Sequence, residues 1–268
     1  MNLGPLNLRY SNSDGYKLTV YVAFNERAYK KKIAGKTYQE QVKLGVIEMW
    51  SGTYELIPEL KEACENYLDK YNPEIKATIQ NVDQINLKVK VEVDPLSGVY
   101  PPRLIYLMRI FSRSKRPIPI YIKNSLIMPS HVGSGILRRF WGFFRYFKIL
   151  SIGFNWSKNF PGYAVINQQK NLKSLRSIAA HEFGHLFGLD DAYDAWYRFY
   201  YPAPNTENYM MHYNKEVQPQ EIAMLINAHT KNRLQFFPVK FNFKTIIGGL
   251  KKDSIFYWKK IKNIFKRT

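Results

Sequence analysis

Hydrophobic and polar residues alternate along several short stretches in the first two thirds of the chain. "KLTVYVAF" (residues 17–24) and "INLKVKVEV" (85–93) alternate with a two-residue period, and the lysines of the second stretch fall on its solvent side. This period and the abundance of β-branched and aromatic residues predict strands. "RLIYLMRI" and "IPIYIK", between Arg103 and Lys123, predict two more, and "GYAVIN" (162–167) predicts the last.

Three other stretches have the spacing of a helix. Residues 36–50 carry apolar residues at intervals of three and four, and "SGT" follows as a stop signal. "KSLRSIAAHEFGHLFG" predicts a second helix with Ser174 as its N-cap. Residues 218–229 predict a third, with Ile222, Leu225 and Ile226 facing inward. Strands interleaved with helices favour an α/β (α+β) fold.

Length and composition fit a globular protein. With 268 residues, 46% of them hydrophobic, the chain can form one sizeable core or two lobes beside a cleft. The one cysteine, Cys64, allows no intrachain disulfide. The N-terminus shows no standard signal peptide, and no apolar run approaches the roughly 20 residues of a membrane span. A cytoplasmic protein and an effector or toxin exported by a non-classical route both remain open.

The charge is strongly positive. Forty Lys and Arg against 21 Asp and Glu give a net charge of +19, which favours anionic partners. Anionic partners include nucleic acid, acidic protein surfaces and anionic membranes. The sequence contains no zinc knuckle, RNP-like motif or helix-turn-helix pattern, so nucleic acid is the least favoured of the three. An acidic protein surface or an anionic membrane fits the charge better.

The stretch "HEFGHLFGLDD" (181–191) carries the chemistry. On a helix, His181 and His185 share one face and can direct both imidazoles at one zinc ion. Glu182 lies about 100° round the helix, where it can hold a water beside the ion. This is the H-E-x-x-H arrangement of zinc hydrolases. The alternative is a chance spacing on an ordinary helix.

The residues that follow supply a third ligand. Gly188 can adopt a positive φ, which ends the helix and returns the chain toward the metal. Asp191 comes three residues later, and carboxylate oxygen is an ordinary zinc ligand. Its neighbour Asp190 is disfavoured by spacing alone.

The string H-E-x-x-H-x-x-G-x-x-D resembles the signature of the metzincin clan of zinc endopeptidases. Asp191 stands where most of the clan has a third histidine, as in snapalysin-like enzymes. The resemblance implies a two-lobe catalytic domain over residues 1–237, with an upper lobe to about residue 188 and a lower lobe after it. The upper lobe would hold a mixed, twisted sheet, a long backing helix and the active-site helix.

The resemblance also implies a methionine turn beneath the metal, and "ENYMMHY" (207–213) supplies two registers for it. Met210 fits an N-x-M pattern counted from Asn208. Met211 fits the astacin-like M-H-Y pattern, which would place Tyr213 near the zinc as a donor to the oxyanion. Both methionines can instead be core residues. His212 is expected to be a turn residue and not a ligand.

Three segments lie outside this motif. The aromatic-rich stretch 193–209 leads toward a substrate-pocket wall, as the metzincin resemblance implies, or else packs beneath the zinc site. Residues 135–150 mix large rings with cations. Residues 238–268 form a basic extension, in which 246–268 predict an amphipathic helix that either lies on an anionic membrane or docks on the body. Its predicted apolar stripe consists of Leu250, Tyr257, Trp258, Ile261, Ile264 and Phe265, with Lys252, Lys259 and Arg267 away from it.

The prediction from sequence is therefore a zinc metalloendopeptidase with one catalytic zinc ion and a protein or peptide substrate. His181, His185 and Asp191 are its expected ligands, and Glu182 is its expected general base. One alternative is a gluzincin, whose third ligand would be Glu207, Glu216 or Glu221. The other is a membrane-active or scaffold protein that keeps a zinc site for stability.

Overall fold

The computed structural model describes residues 4–74, 82–125, 128–147, 154–193, 203–238 and 243–265. Within these residues the protein is a mixed α/β structure in which helices pack on a seven-stranded sheet. The predicted fold class is confirmed. The division into a catalytic domain over 1–237 and an extension over 238–268 stays a prediction.

The sheet is mixed. Its strands are β1 (Leu6–Ser11), β2 (Gly15–Phe24), β5 (Gly52–Glu55), β6 (Gln84–Val93), β7 (Ile118–Lys123), β8 (His131–Gly133) and β9 (Tyr163–Asn167), while β3 (Lys32–Ile33) and β4 (Lys36–Thr37) form a separate pair. The order is β5-β6-β2-β7-β9-β8, with β1 also paired to β2. β6, β2, β7 and β9 run parallel, whereas β1, β5 and β8 are antiparallel to their partners.

The helices connect and cover these strands. They are α1 (Glu26–Lys30), α2 (Tyr38–Trp50), α3 (Pro58–Tyr71), α4 (Pro102–Phe111), α5 (Ile136–Tyr146), α6 (Leu172–Phe187), α7 (Met210–Tyr213), α8 (Pro219–Lys231) and α9 (Phe243–Phe265). α6 follows β9 directly and carries the histidine motif. Of the helices in the described residues, none is long and apolar enough to cross a membrane.

Most of the predicted elements are confirmed. Strands occupy 17–24, 85–93, 118–123 and 163–167, and helices occupy 38–50 and 219–231. The N-cap predicted at Ser174 is wrong. α6 begins earlier, because the side-chain oxygen of Asn171 accepts a hydrogen bond from the Ser174 N–H at 2.7 Å.

The strand predicted at "RLIYLMRI" is also wrong, because these residues form helix α4. Pro101 and Pro102 start the helix, since a proline at the first helical position needs no N–H partner. Only one side of α4 is buried, through Pro102 and Ile105. The apolar residues that suggested a strand are therefore not all buried. Five of them are exposed on α4: Leu104, Leu107, Met108, Ile110 and Phe111.

The motif helix α6 packs against α2, which lies in a stretch predicted to be helical. The Trp50 indole N–H donates to the Ala180 carbonyl at 2.9 Å, and its ring meets Phe187 edge to face. Gly45 lets the helices approach closely, because a Cβ there would lie 2.7 Å from the Cα of Arg176. The histidines therefore lie on a helix that the core holds in place.

The described side chains of α9 are exposed to solvent, including Leu250, Tyr257 and Trp258 of the predicted stripe. The side chains of Ile261, Ile264 and Phe265, and all of Arg267, lie outside the described part of the chain. Whether this helix meets a membrane stays a prediction.

Gly45→Ala should destabilise the protein by roughly 1–3 kcal/mol, because the new methyl group would lie within 3 Å of the Cα, Cβ and Cγ atoms of Arg176. The matched control is Gly248→Ala in α9, where a Cβ meets nothing within 4 Å. That variant should keep or slightly raise stability through helix propensity. Urea unfolding of both variants checks the pair. Equal stability of the two would contradict the close packing of α2 on α6.

Candidate metal centre

The motif helix ends abruptly at Gly188, as the sequence predicts. Its φ is 102°, and its N–H bonds back to the last turn of α6. A Cβ at this position would also lie 2.6 Å from the Cβ of Ala228 and 2.9 Å from the Trp156 ring. Only glycine satisfies both the conformation and the space.

The backbone beyond Gly188 is held on both sides. The Gln235 N–H donates to the Gly188 carbonyl, and the Asp190 N–H donates to the Gln235 carbonyl, each at 2.9 Å. The Ala192 N–H donates to the Met211 carbonyl, also at 2.9 Å. These bonds flank Asp191 and fix the direction of its side chain.

The result is a convergence of three ligand atoms. Asp191 Oδ1 lies 3.1 Å from His181 Nε2 and 3.4 Å from His185 Nε2. Among the described residues, this is the group of three His, Cys, Asp or Glu side chains close enough to hold one metal ion, with its ligand atoms within 4.8 Å of one another. Asp190 is not part of it, and neither are the glutamates considered as alternative ligands.

Two backbone carbonyls orient the imidazoles. His181 Nδ1 lies 2.9 Å from the Met210 carbonyl, and His185 Nδ1 lies 2.9 Å from the Leu189 carbonyl. A carbonyl only accepts, so each Nδ1 carries the proton and, in the neutral ring, each Nε2 presents a lone pair. Two such lone pairs and a carboxylate oxygen repel one another unless a cation lies between them. The arrangement therefore fits a metal ion.

The pKa shifts of His185 and Asp191 also fit a metal ion at this group. Burial alone would lower the pKa of His185, but the Asp191 carboxylate outweighs it and raises that pKa to about 10. Burial would raise the pKa of Asp191, but His185 and His181 hold it well below its usual range. The site thus strongly favours a positive charge beside the carboxylate, which a metal ion supplies in exchange for a proton.

Glu182 lies beside this group. It is 5% exposed, and its Oε2 has no hydrogen-bond partner among the described residues. Burial raises the pKa of Glu182 to about 7, against the opposing charges of His181 and His185. A buried carboxylate oxygen without a partner is costly unless a proton or a water meets it. With a pKa near neutrality, Glu182 can exchange a proton with a water at this oxygen.

The predicted methionine turn forms the short helix α7. Met210 and Met211 are both buried, and Met210 supplies the carbonyl that orients His181. Met211 packs against α6 between the histidines, since a Cβ at Gly184 would collide with its sulfur. Each methionine thus supports the site in a different way.

Tyr213 ends α7 and is half exposed. Its ring stacks on that of His212, with centroids 4.1 Å apart. His212 is buried in the turn, where its Nδ1 lies 2.9 Å from the Thr206 hydroxyl, and it is not in the ligand group. The proposed role of Tyr213 at the oxyanion stays a prediction.

Glu221 has a function that the sequence reasoning missed. Its buried carboxylate accepts hydrogen bonds from the backbone N–H groups of Met211 and Gln218 at 2.8 Å and of Met210 at 3.3 Å. It therefore fixes the turn that orients His181, and it caps α8. Burial raises its pKa to about 7 despite these donors. The capping pattern Gln218-x-x-Glu221 is the sequence signal that could have found it.

Two further sequence predictions concern the glutamates considered as alternative ligands and the aromatic stretch 193–209. Glu207 and Glu216 are exposed. Most of the aromatic stretch 193–209 falls in 194–202, outside the described residues, so its place at a pocket wall is untested. Of its ends, Tyr193 lies beside His212 and Tyr209 beside Phe237.

Comparison with known proteins adds no relative. The chain matches no protein-family model, and no curated protein matches it. The geometry of this site is therefore the basis for assigning a function.

Asp191→Asn should lose far more zinc affinity than Glu221→Gln. The first change removes the charge at the centre of the ligand group. The second disturbs only the turn behind His181, an effect of roughly tenfold. Glu221→Gln should in turn lower the free energy of unfolding by roughly 1–3 kcal/mol, because an amide cannot accept all three N–H groups.

Zinc titration with a competing chelator and urea unfolding measure the two effects. A larger loss of zinc affinity in Glu221→Gln would instead favour the gluzincin arrangement.

Proposed function

We propose that this protein is a zinc-dependent endopeptidase with a metzincin-like active site. The observation that carries the proposal is the convergence of His181, His185 and Asp191 beside the buried, unpartnered carboxylate oxygen of Glu182. The H-E-x-x-H-x-x-G-x-x-D resemblance supports it independently.

Zinc is the metal that the donor set suits best. Two imidazole nitrogens and one carboxylate oxygen are common zinc ligands, and three protein ligands are typical of catalytic sites. Ca²⁺ and Mg²⁺ prefer shells made of oxygen. The hydrogen bonds from both Nδ1 atoms to backbone carbonyls are also the usual support of zinc-binding histidines.

Glu182 and Tyr213 have different roles in the proposed hydrolysis. When bound, zinc supplies a Lewis acid that lowers the pKa of a water and polarises the scissile carbonyl. Glu182 accepts the proton of the attacking water and passes it to the leaving amine, and its raised pKa suits both steps. Tyr213 is proposed to donate a hydrogen bond to the oxyanion.

The gluzincin alternative is less well supported, because the Glu221 carboxylate is already occupied by three backbone N–H groups. A purely structural zinc site is also less well supported. Structural sites usually have four protein ligands, whereas the ligand group among the described residues has three. A buried carboxylate with an unpartnered oxygen would add only cost to a structural site.

Glu182→Gln should abolish peptidase activity and leave zinc bound, because the amide cannot accept the water proton while the three ligands are unchanged. The assay is cleavage of casein or a mixed peptide library by the wild type and by the variant, with zinc content measured in parallel.

Glu216→Gln is the matched control, since it changes an exposed glutamate outside the ligand group. It should cleave like the wild type, and a chelator should stop cleavage in both. An active Glu182→Gln enzyme would refute the assignment of the base. Absence of chelator-sensitive cleavage in the wild type would refute the peptidase proposal.

A further inference from the structure

Helix α5 presents its apolar face to solvent. Six large apolar residues lie along one arc of about 140° at 100° per residue. Each is between 60% and 84% exposed: Ile136, Leu137, Phe140, Trp141, Phe144 and Phe147. A helix at a protein surface normally turns such a face inward. α5 therefore has the opposite of the usual orientation, with its apolar face toward solvent.

The opposite face of α5 is anchored to the body by polar contacts. Its arginines donate to main-chain carbonyl groups: Arg138 to Asn155 at 3.1 Å, Arg139 to Ser134 at 3.1 Å, and Arg145 to Asn232 at 2.8 Å. Gly142 and Tyr146 are buried on the same side, and the Tyr146 hydroxyl donates to the Trp156 carbonyl at 2.9 Å. These contacts hold the apolar face outward.

Helix α4, near α5, has a second exposed apolar stripe. Leu104, Leu107, Met108 and Phe111 share one arc of the helix and are all exposed. Two aromatic rings connect the helices. Arg103 of α4 lies over the Tyr163 ring at 6.0 Å, and Arg139 of α5 donates to the Tyr163 hydroxyl at 3.0 Å. Arg116, just after α4, and Arg138 both stack on Phe160 at 4.7 Å.

The charge around these helices is predominantly positive. Between Asp94 and Glu182 the sequence contains no acidic residue but 14 lysines and arginines. Both helices lie in this segment, and exposed cations lie on or next to them, at Arg103, Arg113 and Arg139. Arg109 of α4 is paired with the carboxylate of Asp94, and the other cations leave an excess of positive charge around the apolar face.

We propose that the outward faces of α4 and α5 form a docking surface for an anionic lipid bilayer. Phenylalanine, tryptophan and aliphatic side chains on a convex helix suit the boundary between headgroups and acyl chains. The surrounding cations suit acidic headgroups. A second copy of the chain would bring the same positive charge to the interface. Nucleic acid would leave the exposed aliphatic residues without a partner. The proposal does not depend on the peptidase activity.

The experiment is co-sedimentation of the full chain with vesicles of phosphatidylcholine and phosphatidylserine, and with vesicles of phosphatidylcholine alone. The wild type should bind the acidic vesicles, and more weakly as salt rises. Trp141→Ser/Phe144→Ser should bind at least roughly tenfold more weakly, because two rings leave the interface. Leu107→Ser/Phe111→Ser should also bind more weakly. All four side chains are exposed, so the melting temperature should not fall.

The matched control is Val82→Ser/Met128→Ser, which removes exposed apolar side chains outside both helices and should bind like the wild type. Trp258→Ser tests the basic helix α9. Loss of binding in that variant but not in the α4 and α5 variants would overturn the proposal. So would equal binding of wild type and α5 variant to acidic vesicles, or a wild-type dimer that the α5 variant converts to monomer. Binding to an oligonucleotide but not to acidic vesicles would overturn it as well.

Discussion

The carboxylate of Asp191 faces the lone pairs of two imidazoles, and the surrounding structure depends on this arrangement. The three groups cannot share so small a buried volume without a positive charge between them. Holding them together requires a rigid helix for the histidines, a sharp stop at Gly188 and a fixed return of the chain. Each of these requirements is met by a named contact.

These contacts come from the core. Trp50 holds α6 from one side through the Ala180 carbonyl, and Trp156 holds its last turn through the Leu186 carbonyl at 2.8 Å. Glu221 of α8 accepts hydrogen bonds from the backbone N–H groups of Met210 and Met211, and the Met210 carbonyl orients His181. The stability of the fold and the geometry of the site are thus maintained by the same side chains.

Local periodicity was enough to predict the four parallel strands β2, β6, β7 and β9 and the motif helix, because buried faces repeat with the period of the element. It did not predict the antiparallel strands β1, β5 and β8. The spacing of His181, His185 and Asp191 likewise predicted the ligand group, since helix geometry and one glycine turn determine it. α4 was missed because an exposed apolar stripe looks like a buried strand when burial is unknown. The sequence did not distinguish Asn171 from Ser174 as the N-cap, because either side chain can accept a hydrogen bond from a backbone N–H.

Long-range contacts were beyond prediction. The bonds from Met210 and Met211 to Glu221 join residues of different elements, and no local pattern in a single sequence reports such a pairing. The aromatic and basic composition of residues 135–150 was evident, but which face of α5 points outward depends on acceptors such as Asn155 and Asn232. Orientation is a property of the packed structure and not of the helix alone.

We propose that His181, His185 and Asp191 bind one zinc ion, and X-ray absorption at the zinc edge tests this binding most directly. The expected spectrum shows scattering from two imidazole rings and from nitrogen and oxygen ligands at about 2.0–2.2 Å, without sulfur. The spectrum should show a single imidazole in His185→Ala and should lose an oxygen ligand, or all zinc, in Asp191→Ala. A wild-type protein that binds no zinc, or a spectrum that neither substitution changes, would contradict it.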